Sequence, residues 1–251
     1  MKTKRFIRII LENILPNGFL KNAFGFFAIF VPPKKSYSQK GEDLIVHAFF
    51  GKRKNGYYLD IGSFHPTWIS NTHLFHKHGW KGTVVDIDQY KLDLFKLLRK
   101  KKVEVLRAAV VPRKTKENKL NVYKFFTKRG WSDVDTLDFK TAEKLKNNGR
   151  GEYLIETIPT IDINSLLKKL PKINFLNIDI EGLDTKVVNA IDFDKFEIDL
   201  ILFEDNDYYG GQKKLIKKLE EKGYFHLFTS GGSVCYALKE KINNQKIINL
   251  I

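Results

Sequence analysis

Two acidic residues at the ends of consecutive apolar segments are the first candidates for chemistry. Asp60 follows segment 57–59 and stands two residues before Gly62, and Asp86 closes the next such segment, 83–85. A glycine turn after one strand and a carboxylate ending the next are typical of a nucleoside site at the carboxyl edge of a parallel sheet. Pyrophosphate sites usually need more glycines, in a G-x-G-x-x-G turn. The pattern therefore favours a nucleoside without phosphates, of which S-adenosyl-L-methionine is the common example.

Each of these residues has a functional and a structural interpretation. Asp60 could order its turn or bind the amino end of a methionine moiety, and Gly62 would let the backbone approach a ligand closely. A carboxylate can accept hydrogen bonds from both vicinal hydroxyls of a ribose. Asp86 is our candidate for that role, although Asp86 or Asp88 could instead cap the helix that follows.

Four more carboxylates follow two later strands. Asp179 and Glu181 lie at and beyond the end of an apolar strand at 173–179, and Glu204 and Asp205 close the strand after it. Carboxyl ends of parallel strands share one edge, so these groups are expected to meet there. Carboxylates can act as a general base for a hydroxyl, for which Asp179 and Glu181 are the candidates. They can also hold Mg²⁺, for which the candidates are Asp179, Glu204 and Asp205, or they can simply be helix caps and exposed strand ends.

The histidines divide into two groups. His65 stands in the turn after Gly62 and is a candidate for contacting cofactor or substrate, and it is grouped with the catalytic residues. His73, His76 and His78 lack the spacing of metal ligands, which predicts surface positions on an amphipathic helix.

The polar segment 38–43 precedes the first predicted helix of the main domain. A hydroxyl and acidic residues suit the start of a helix, which would explain Ser38. The same interpretation does not require Gln39 or Gly41, so the segment is also a functional candidate.

Composition narrows the class of protein. The chain has 251 residues, of which 43% are hydrophobic, which indicates a globular fold with a sizeable core. Its single cysteine, Cys235, excludes an internal disulfide and a cysteine-based zinc site, and we expect it to be buried. The net charge of +15 favours acidic partners, such as phosphorylated substrates, nucleic acid or anionic membrane, unless it only reflects a lysine-rich composition.

Strands and helices alternate along the chain, which predicts an α/β fold with a mainly parallel sheet. A closing hairpin adds an antiparallel last strand. Segment 112–150 is predicted to be an irregular insertion over the sheet edge that sets acceptor specificity, followed by an added edge strand at 153–157. The predicted strands are 56–60, 83–86, 103–110, 173–179, 200–204, 224–229 and 234–238. The predicted helices are 41–50, 71–78, 90–101, 161–170, 185–190 and 211–222.

The first 35 residues form a basic and aromatic extension to the main domain, predicted at 36–251. The apolar run 23–31 is too short to cross a bilayer and no cleavage site follows it. Residues 1–31 could contact a membrane surface, seal a homodimer or pack on the main domain.

Five short motifs in this order resemble the FkbM family of methyltransferases, and the resemblance extends over about residues 36–238. They are Tyr37-Ser38-Gln39-Lys40-Gly41-Glu42-Asp43, Leu59-Asp60-Ile61-Gly62, Ser70-Asn71-Thr72, Gly79-Trp80-Lys81-Gly82 and Ile178-Asp179-Ile180-Glu181-Gly182. The resemblance implies a Rossmann-like class I fold with a seven-stranded sheet and helices on both faces, S-adenosylmethionine as cofactor, and O-methylation, often of sugar hydroxyls.

The resemblance also implies roles for individual residues. Asp179 and Glu181 would face the reacting end of the cofactor. The family usually has glutamate-proline where this chain has Asp86-Ile87, so the ribose contact is expected to shift or to involve Asp88. The cofactor-binding set is Ser38, Gln39, Glu42, Asp60, Gly62, Ser63, Asn71, Asp86, Asp88 and Ala109.

The sequence therefore predicts a methyltransferase that acts on a carbohydrate hydroxyl of a bacterial surface glycan or of a nucleotide- or lipid-linked sugar. It would work in the cytoplasm or at the inner face of the membrane, without sequence-specific nucleic acid. Two alternatives stay open: methylation of RNA or protein, and a non-catalytic cofactor-binding scaffold. RNA binding would use aromatic and basic residues of the insertion, namely Phe125, Phe126, Lys128, Arg129 and Trp131.

Overall fold

The computed structural model describes residues 36–51, 53–125, 135–205 and 212–241. The N-terminal extension and four residues of the proposed RNA-binding set, Phe126, Lys128, Arg129 and Trp131, lie outside the described residues. Within the described ranges, no helix is long and apolar enough to cross a membrane.

Ten strands and seven helices are assigned within the described part of the chain. The strands are β1 (Tyr57–Ile61), β2 (Lys81–Asp86), β3 (Val103–Arg107), β4 (Ala109–Val111), β5 (Lys119–Phe125), β6 (Tyr153–Asp162), β7 (Phe175–Ile178), β8 (Leu200–Glu204), β9 (Tyr224–Ser230) and β10 (Ser233–Leu238). The helices are α1 (Glu42–Phe50), α2 (His73–Lys77), α3 (Gln89–Arg99), α4 (Phe139–Leu145), α5 (Ile163–Lys168), α6 (Asp184–Ala190) and α7 (Gln212–Glu221).

A seven-stranded sheet in the order β3-β2-β1-β7-β8-β10-β9 forms the centre of the fold. Its neighbours pair in parallel except at β10, which is antiparallel to both β8 and β9. The prediction of a mainly parallel seven-stranded sheet with an antiparallel last strand is confirmed. From β1 the chain order runs outward in opposite directions, through β2 on one side and β7 on the other, so β1 and β7 flank the topological switch point.

Helices cover both faces of this sheet. Because successive residues of each strand point to opposite sides, each strand contributes side chains to two separate apolar clusters. In β1, Leu59 and Ile61 belong to one apolar cluster and Tyr58 belongs to the other. Side chains of α5, α6 and α7 complete the first cluster, and side chains of α1, α2 and α3 complete the second. Cys235 in β10 is fully buried as predicted, and burial raises the pKa of its thiol well above the ordinary value.

The region after β2 differs most from the prediction. The strand predicted at 103–110 is two strands, because the chain leaves the main sheet after Arg107 and the next strand, β4, pairs instead with β6, with Ala109 opposite Thr160. Segment 112–150 is not irregular, since it contains β5 and α4. The strand predicted at 153–157 runs to Asp162, and it is the central strand of a three-stranded sheet rather than an edge.

By its internal contacts, the described chain separates into two compact units, a smaller one at 121–157 and a larger one that contains the main sheet. In the smaller unit the rings of Tyr123 and Phe125 pack against that of Tyr153, at centroid distances of 5.1 and 5.4 Å. Phe125 is buried, so its ring is not available for stacking on an RNA base.

Candidate functional site

A cleft opens in the larger unit where β1 and β7 end, at the switch point of the main sheet. It encloses about 480 Å³, counted to its open mouth and including space that is open to solvent. Its walls come from the loops after β1 and β7, from the segment before α1 and from the start of β10. The lining residues are Gln39, Glu42, Asp60, Gly62, Ser63, Phe64, His65, Ile69, Ser70, Asn71, Asn177, Asp179 and Ser233.

The cleft brings together about half of the residues that the sequence singled out. The predicted residues that line it are Gln39, Glu42, Asp60, Gly62, Ser63, His65, Asn71 and Asp179. The predicted residues outside its lining are Ser38, Asp86, Asp88, Ala109, Glu181, Glu204 and Asp205. Phe64, Ile69, Ser70, Asn177 and Ser233 line the cleft without having been predicted.

Asp60 is held by donors on both of its carboxylate oxygens. The hydroxyl of Thr72 donates to one oxygen at 2.5 Å, and the side-chain amide of Asn177 donates to the other at 2.9 Å. The amide of Asn71 in turn donates to the Asn177 oxygen at 2.9 Å. Asp60 is only 2% exposed, so these bonds replace the water that the carboxylate loses on burial.

Arg99, the last residue of α3, donates a hydrogen bond to Thr72, one of the residues that hold Asp60 in place. It is 1% exposed, and one terminal nitrogen donates to the Thr72 hydroxyl at 2.9 Å and to the Tyr58 hydroxyl at 3.0 Å. Its other nitrogens donate to the Pro66 carbonyl, at 2.8 and 3.1 Å, and to the Ser70 hydroxyl at 2.8 Å. All five guanidinium N–H groups are therefore used. The positive charge of Arg99 reaches Asp60 through a single hydroxyl, that of Thr72.

Gly62 is required by a close approach within the protein. Its φ is +81°, and a Cβ at this position would lie 1.7 Å from the backbone oxygen of Asp179. Its N–H donates to the Val85 carbonyl at 2.9 Å. The loops after β1 and β7 thus meet backbone to backbone at the floor of the cleft.

The segment 36–43 folds around Asp43 rather than around the cleft as a whole. The hydroxyl of Ser38 donates to the Asp43 carboxylate at 2.9 Å and accepts from the Gly41 N–H at 2.9 Å, so Ser38 has a structural role in this loop. Glu42 does reach the cleft, where it accepts hydrogen bonds from the Lys40 N–H at 2.8 Å and the Ser230 hydroxyl at 3.1 Å.

The residues predicted at the ribose end lie outside the lining of the cleft. Asp86 is buried, accepts from the N–H of Asp88 at 2.7 Å and lies 3.9 Å from the ammonium of Lys91. Asp88 is the N-cap of α3 and accepts from the Tyr90 N–H at 2.8 Å. The capping interpretation is therefore realised by Asp88. Ala109 is buried in β4, in the three-stranded sheet.

Three carboxylates cluster around Asp179, which is the only one of them in the lining of the cleft. Oxygens of Asp179, Glu181 and Glu204 all lie within 4.8 Å of one another, and this is the only group of potential metal ligands of its kind among the described residues. Two of them, Asp179 and Glu204, belong to the predicted metal set, and Glu181 stands where Asp205 was expected. Glu181 has a φ of +54°, a strained conformation for a residue other than glycine, and such strain occurs often at functional sites.

Asp184, which the sequence analysis did not identify, holds the turn that carries Asp179 and Glu181. Its carboxylate accepts from the N–H groups of Ile180 at 3.1 Å and Gly182 at 3.2 Å. It is 1% exposed, and burial is the main cause that raises its pKa from 3.8 to about 6, with a further contribution from Glu204.

The pKa of Asp179 is raised well above its ordinary value. Desolvation is the largest cause, and the negative charges of Asp184, Glu181 and Glu204 follow. Asp179 is nevertheless exposed to solvent, which weakens the effect of desolvation. We therefore attribute the raised pKa mainly to the negative charges of the neighbouring carboxylates. Asp179 therefore combines access to solvent with a raised affinity for a proton.

The histidines near the cleft are electrically neutral at physiological pH. His65 is buried and its Nδ1 accepts from the Thr67 N–H at 3.1 Å. Burial, together with the nearby Arg99, lowers its pKa to about 4. His73 and His76 are half-buried rather than on the surface as predicted, and burial lowers their pKa values to about 3 and about 4.

Solved structures that are similar to the chain include several methyltransferases. No curated protein matches the chain. A TehB-like SAM-dependent methyltransferase from Corynebacterium glutamicum is 10% identical, with a TM-score of 0.43 over 89% of this chain and 100% of that one. Human methyltransferase 10 domain containing protein is 12% identical, with a TM-score of 0.37 over 91% and 87%. Precorrin-6y C5,15-methyltransferase from Geobacter metallireducens is 10% identical, with a TM-score of 0.34 over 81% and 89%.

Structural similarity at this level carries no argument by itself, and the family assignment depends on the sequence. The family model for the methyltransferase FkbM domain matches residues 60–225, which is more than half of the chain. The match begins at Asp60 and includes the cleft-lining loops after β1 and β7. The chain therefore belongs to the FkbM family of S-adenosylmethionine-dependent methyltransferases.

Proposed function

We propose that this chain is an O-methyltransferase whose acceptor is a hydroxyl group of a carbohydrate, in a bacterial surface glycan or a nucleotide- or lipid-linked sugar. The observation that carries the proposal is the position of Asp179. It is a carboxylate with a raised pKa, accessible to solvent, in the same cleft as Asp60, which is buried and accepts one hydrogen bond on each oxygen. A methyltransferase that acts on a hydroxyl needs such a group, because an alcohol must lose its proton as its oxygen acquires the methyl group.

The cleft fits the cofactor by charge. The methionine end of S-adenosylmethionine carries a positive ammonium group, a positive sulfur and one carboxylate, so its net charge is positive, and the cleft is lined by the carboxylates of Glu42, Asp60 and Asp179. Asp60 would hold the amino end, since Thr72 and Asn177 fix its orientation. Asp86 would bind the ribose from the end of β2. When bound, the cofactor supplies a methyl group that its positive sulfur has already activated.

The chain itself then has to place the acceptor and take up one proton. Asp179 would accept the hydroxyl proton, and its raised pKa makes it a stronger base than an ordinary aspartate. Asp184 would keep the turn of Asp179 and Glu181 in position through its two backbone hydrogen bonds.

A cation offers a second route to the same reaction. Mg²⁺ prefers carboxylate oxygens, and those of Asp179, Glu181 and Glu204 are close enough to share one ion. Activity measured after chelation, and again with added Mg²⁺, separates the routes. An activity that chelation leaves intact supports proton transfer to Asp179 without a metal.

Calorimetry with S-adenosylmethionine tests the assignment of the cofactor site. We expect the wild type to bind and Asp86→Ala to bind at least about tenfold more weakly, because a buried carboxylate that binds a ribose is lost. Asp93→Ala is the matched control, because Asp93 is an exposed carboxylate on α3. Equal binding by wild type and Asp86→Ala would remove Asp86 from the site.

The acceptor is tested in cells and in extracts. A deletion strain should produce a surface glycan that lacks the mass of one methylene unit per modified residue, and the purified enzyme should restore it. Methylation of RNA or protein fractions in place of glycan would support the first alternative. Cofactor binding without any methyl transfer would support the scaffold.

A further inference from the structure

The loop between β1 and α2 carries an aromatic surface beside the cleft. The ring of Phe64 is part of the cleft lining, and the ring of Trp68 lies 5.8 Å from it, tilted by 59°. Trp68 is 39% exposed, whereas Trp80, the other tryptophan among the described residues, is 1% exposed. A large aromatic side chain is thus exposed to solvent beside a polar cleft.

This part of the loop is held in a strained conformation. Ile69, directly after Trp68, has a φ of +50°, which is a genuine outlier for a β-branched residue. Ile69 also lines the cleft. Strain of this kind persists only where the surrounding structure fixes it, and it occurs often at ligand-binding sites.

Contacts on both sides of the strained residue fix it. Arg99 donates to the Pro66 carbonyl before it and to the Ser70 hydroxyl after it. The Ser70 N–H donates to the Tyr37 carbonyl at 2.9 Å, and the Thr67 N–H donates to His65. These hydrogen bonds hold the backbone on both sides of Trp68, so less backbone freedom is left to lose when a ligand binds there.

We propose that Trp68 and Phe64 form the subsite that receives the sugar ring of the acceptor. A pyranose ring has one face of C–H groups, which pack on the electron-rich face of an aromatic ring, and an edge of hydroxyls. The cleft next to these two rings is polar, with Gln39, Asn71 and Ser233 in its lining. An aromatic face beside hydrogen-bonding side chains matches a sugar better than it matches a purely apolar partner. The inference rests on the proposed function, and it identifies where the acceptor is recognised.

The test uses the full chain, radiolabelled S-adenosylmethionine and the polysaccharide fraction extracted from the deletion strain. Trp68→Ala should raise the apparent KM for polysaccharide roughly five- to twentyfold, because one aromatic contact is lost. The kcat and the Kd for S-adenosylmethionine should stay unchanged. Trp68→Phe should recover most of the affinity because it keeps a flat ring. Leu97→Ala is the control, since Leu97 is an exposed apolar residue outside the cleft lining.

The outcomes separate this inference from the proposed function. If the wild type labels polysaccharide and Trp68→Ala does so with a KM within about twofold of the wild type, the subsite is wrong and the proposed function stands. A parallel loss of cofactor affinity in Trp68→Ala would also overturn the subsite, because Trp68 would then support the cofactor side or the fold. If the wild type labels neither the polysaccharide nor the nucleotide- and lipid-linked sugars extracted from the same strain, the proposed function fails and the subsite fails with it. Thermal unfolding of each variant confirms that it is folded.

Discussion

Asp60, in β1, and Asp179, directly after the adjacent strand β7, both line the cleft, yet their surroundings are opposite. Asp60 is buried among donors, with Thr72 and Asn177 on its two oxygens and Arg99 one hydroxyl away. Asp179 stands among carboxylates, with Glu181 and Glu204 within 4.8 Å and Asp184 beneath its turn. The first environment would suit a carboxylate that binds a ligand, and the second would suit one that takes up a proton. If the proposed roles are correct, neighbouring groups alone give the same side chain two functions.

The largest effect should come from removing the base. Asp179→Asn keeps the size of the side chain but not its basicity, so kcat should fall by about 10² or more while cofactor affinity stays near that of the wild type. Methyl transfer under saturating substrate and calorimetry measure the two quantities. Asp194→Asn, at a 76% exposed carboxylate, is the control. A variant with wild-type kcat would show that Asp179 is not the base.

The second largest effect should be a change of stability with pH, caused by the raised pKa of Asp184 beside Asp179. Because the pKa of Asp184 is raised from 3.8 to about 6 in the folded chain, the folded state binds its proton more tightly than the unfolded state does. Its contribution to stability is complete below about pH 4 and is lost as the pH rises through about 6, a change of about 3 kcal/mol.

Urea unfolding of the wild type and of Asp184→Asn at about pH 4 and about pH 8 measures this contribution. The free energy of unfolding of the wild type should fall more between the two pH values than that of the variant. The comparison uses the change with pH, so the one backbone hydrogen bond that asparagine cannot accept, which is lost at every pH, cancels. If the free energy of unfolding falls equally in the wild type and the variant, the pH dependence comes from a group other than Asp184.

The smallest effect should appear on the Asp60 side. Thr72→Val keeps the shape of the side chain and removes the hydroxyl between Arg99 and Asp60, which should cost about 1–3 kcal/mol of stability. The affinity for S-adenosylmethionine should fall, while kcat at saturation should change little. Thr67→Val, also in this loop, is the comparison variant. An unchanged cofactor affinity in Thr72→Val would show that Asp60 does not need this support.

The sequence predicted strands correctly where the local pattern of apolar residues agrees with the position of the strand in the fold. Strand β8, Leu200–Glu204, has the bounds predicted from its apolar run, and the closing hairpin is present. The break between β3 and β4 could not be predicted, because segment 103–111 has no glycine or proline and reads as one strand. What ends β3 is the pairing of Ala109 with Thr160, a contact between residues far apart in the chain.

The site shows the same division. Spacing located Asp60, Gly62 and Asp179, but it did not locate Arg99, which stands at the head of four consecutive basic residues, any of which could be the buried one. Asn177 did give a signal that was missed. An amide inside an otherwise apolar buried strand must be hydrogen-bonded, and here it donates to Asp60.

The contact between Gly62 and the Asp179 carbonyl has a mechanical consequence. The space between them does not hold even one methyl group, so the loop after β1 and the loop after β7 are in direct backbone contact. If Asp60 binds the cofactor and Asp179 is the base, a shift of the loop after β1 is therefore passed directly to the turn after β7. The alignment of cofactor and acceptor would then depend on this one backbone contact.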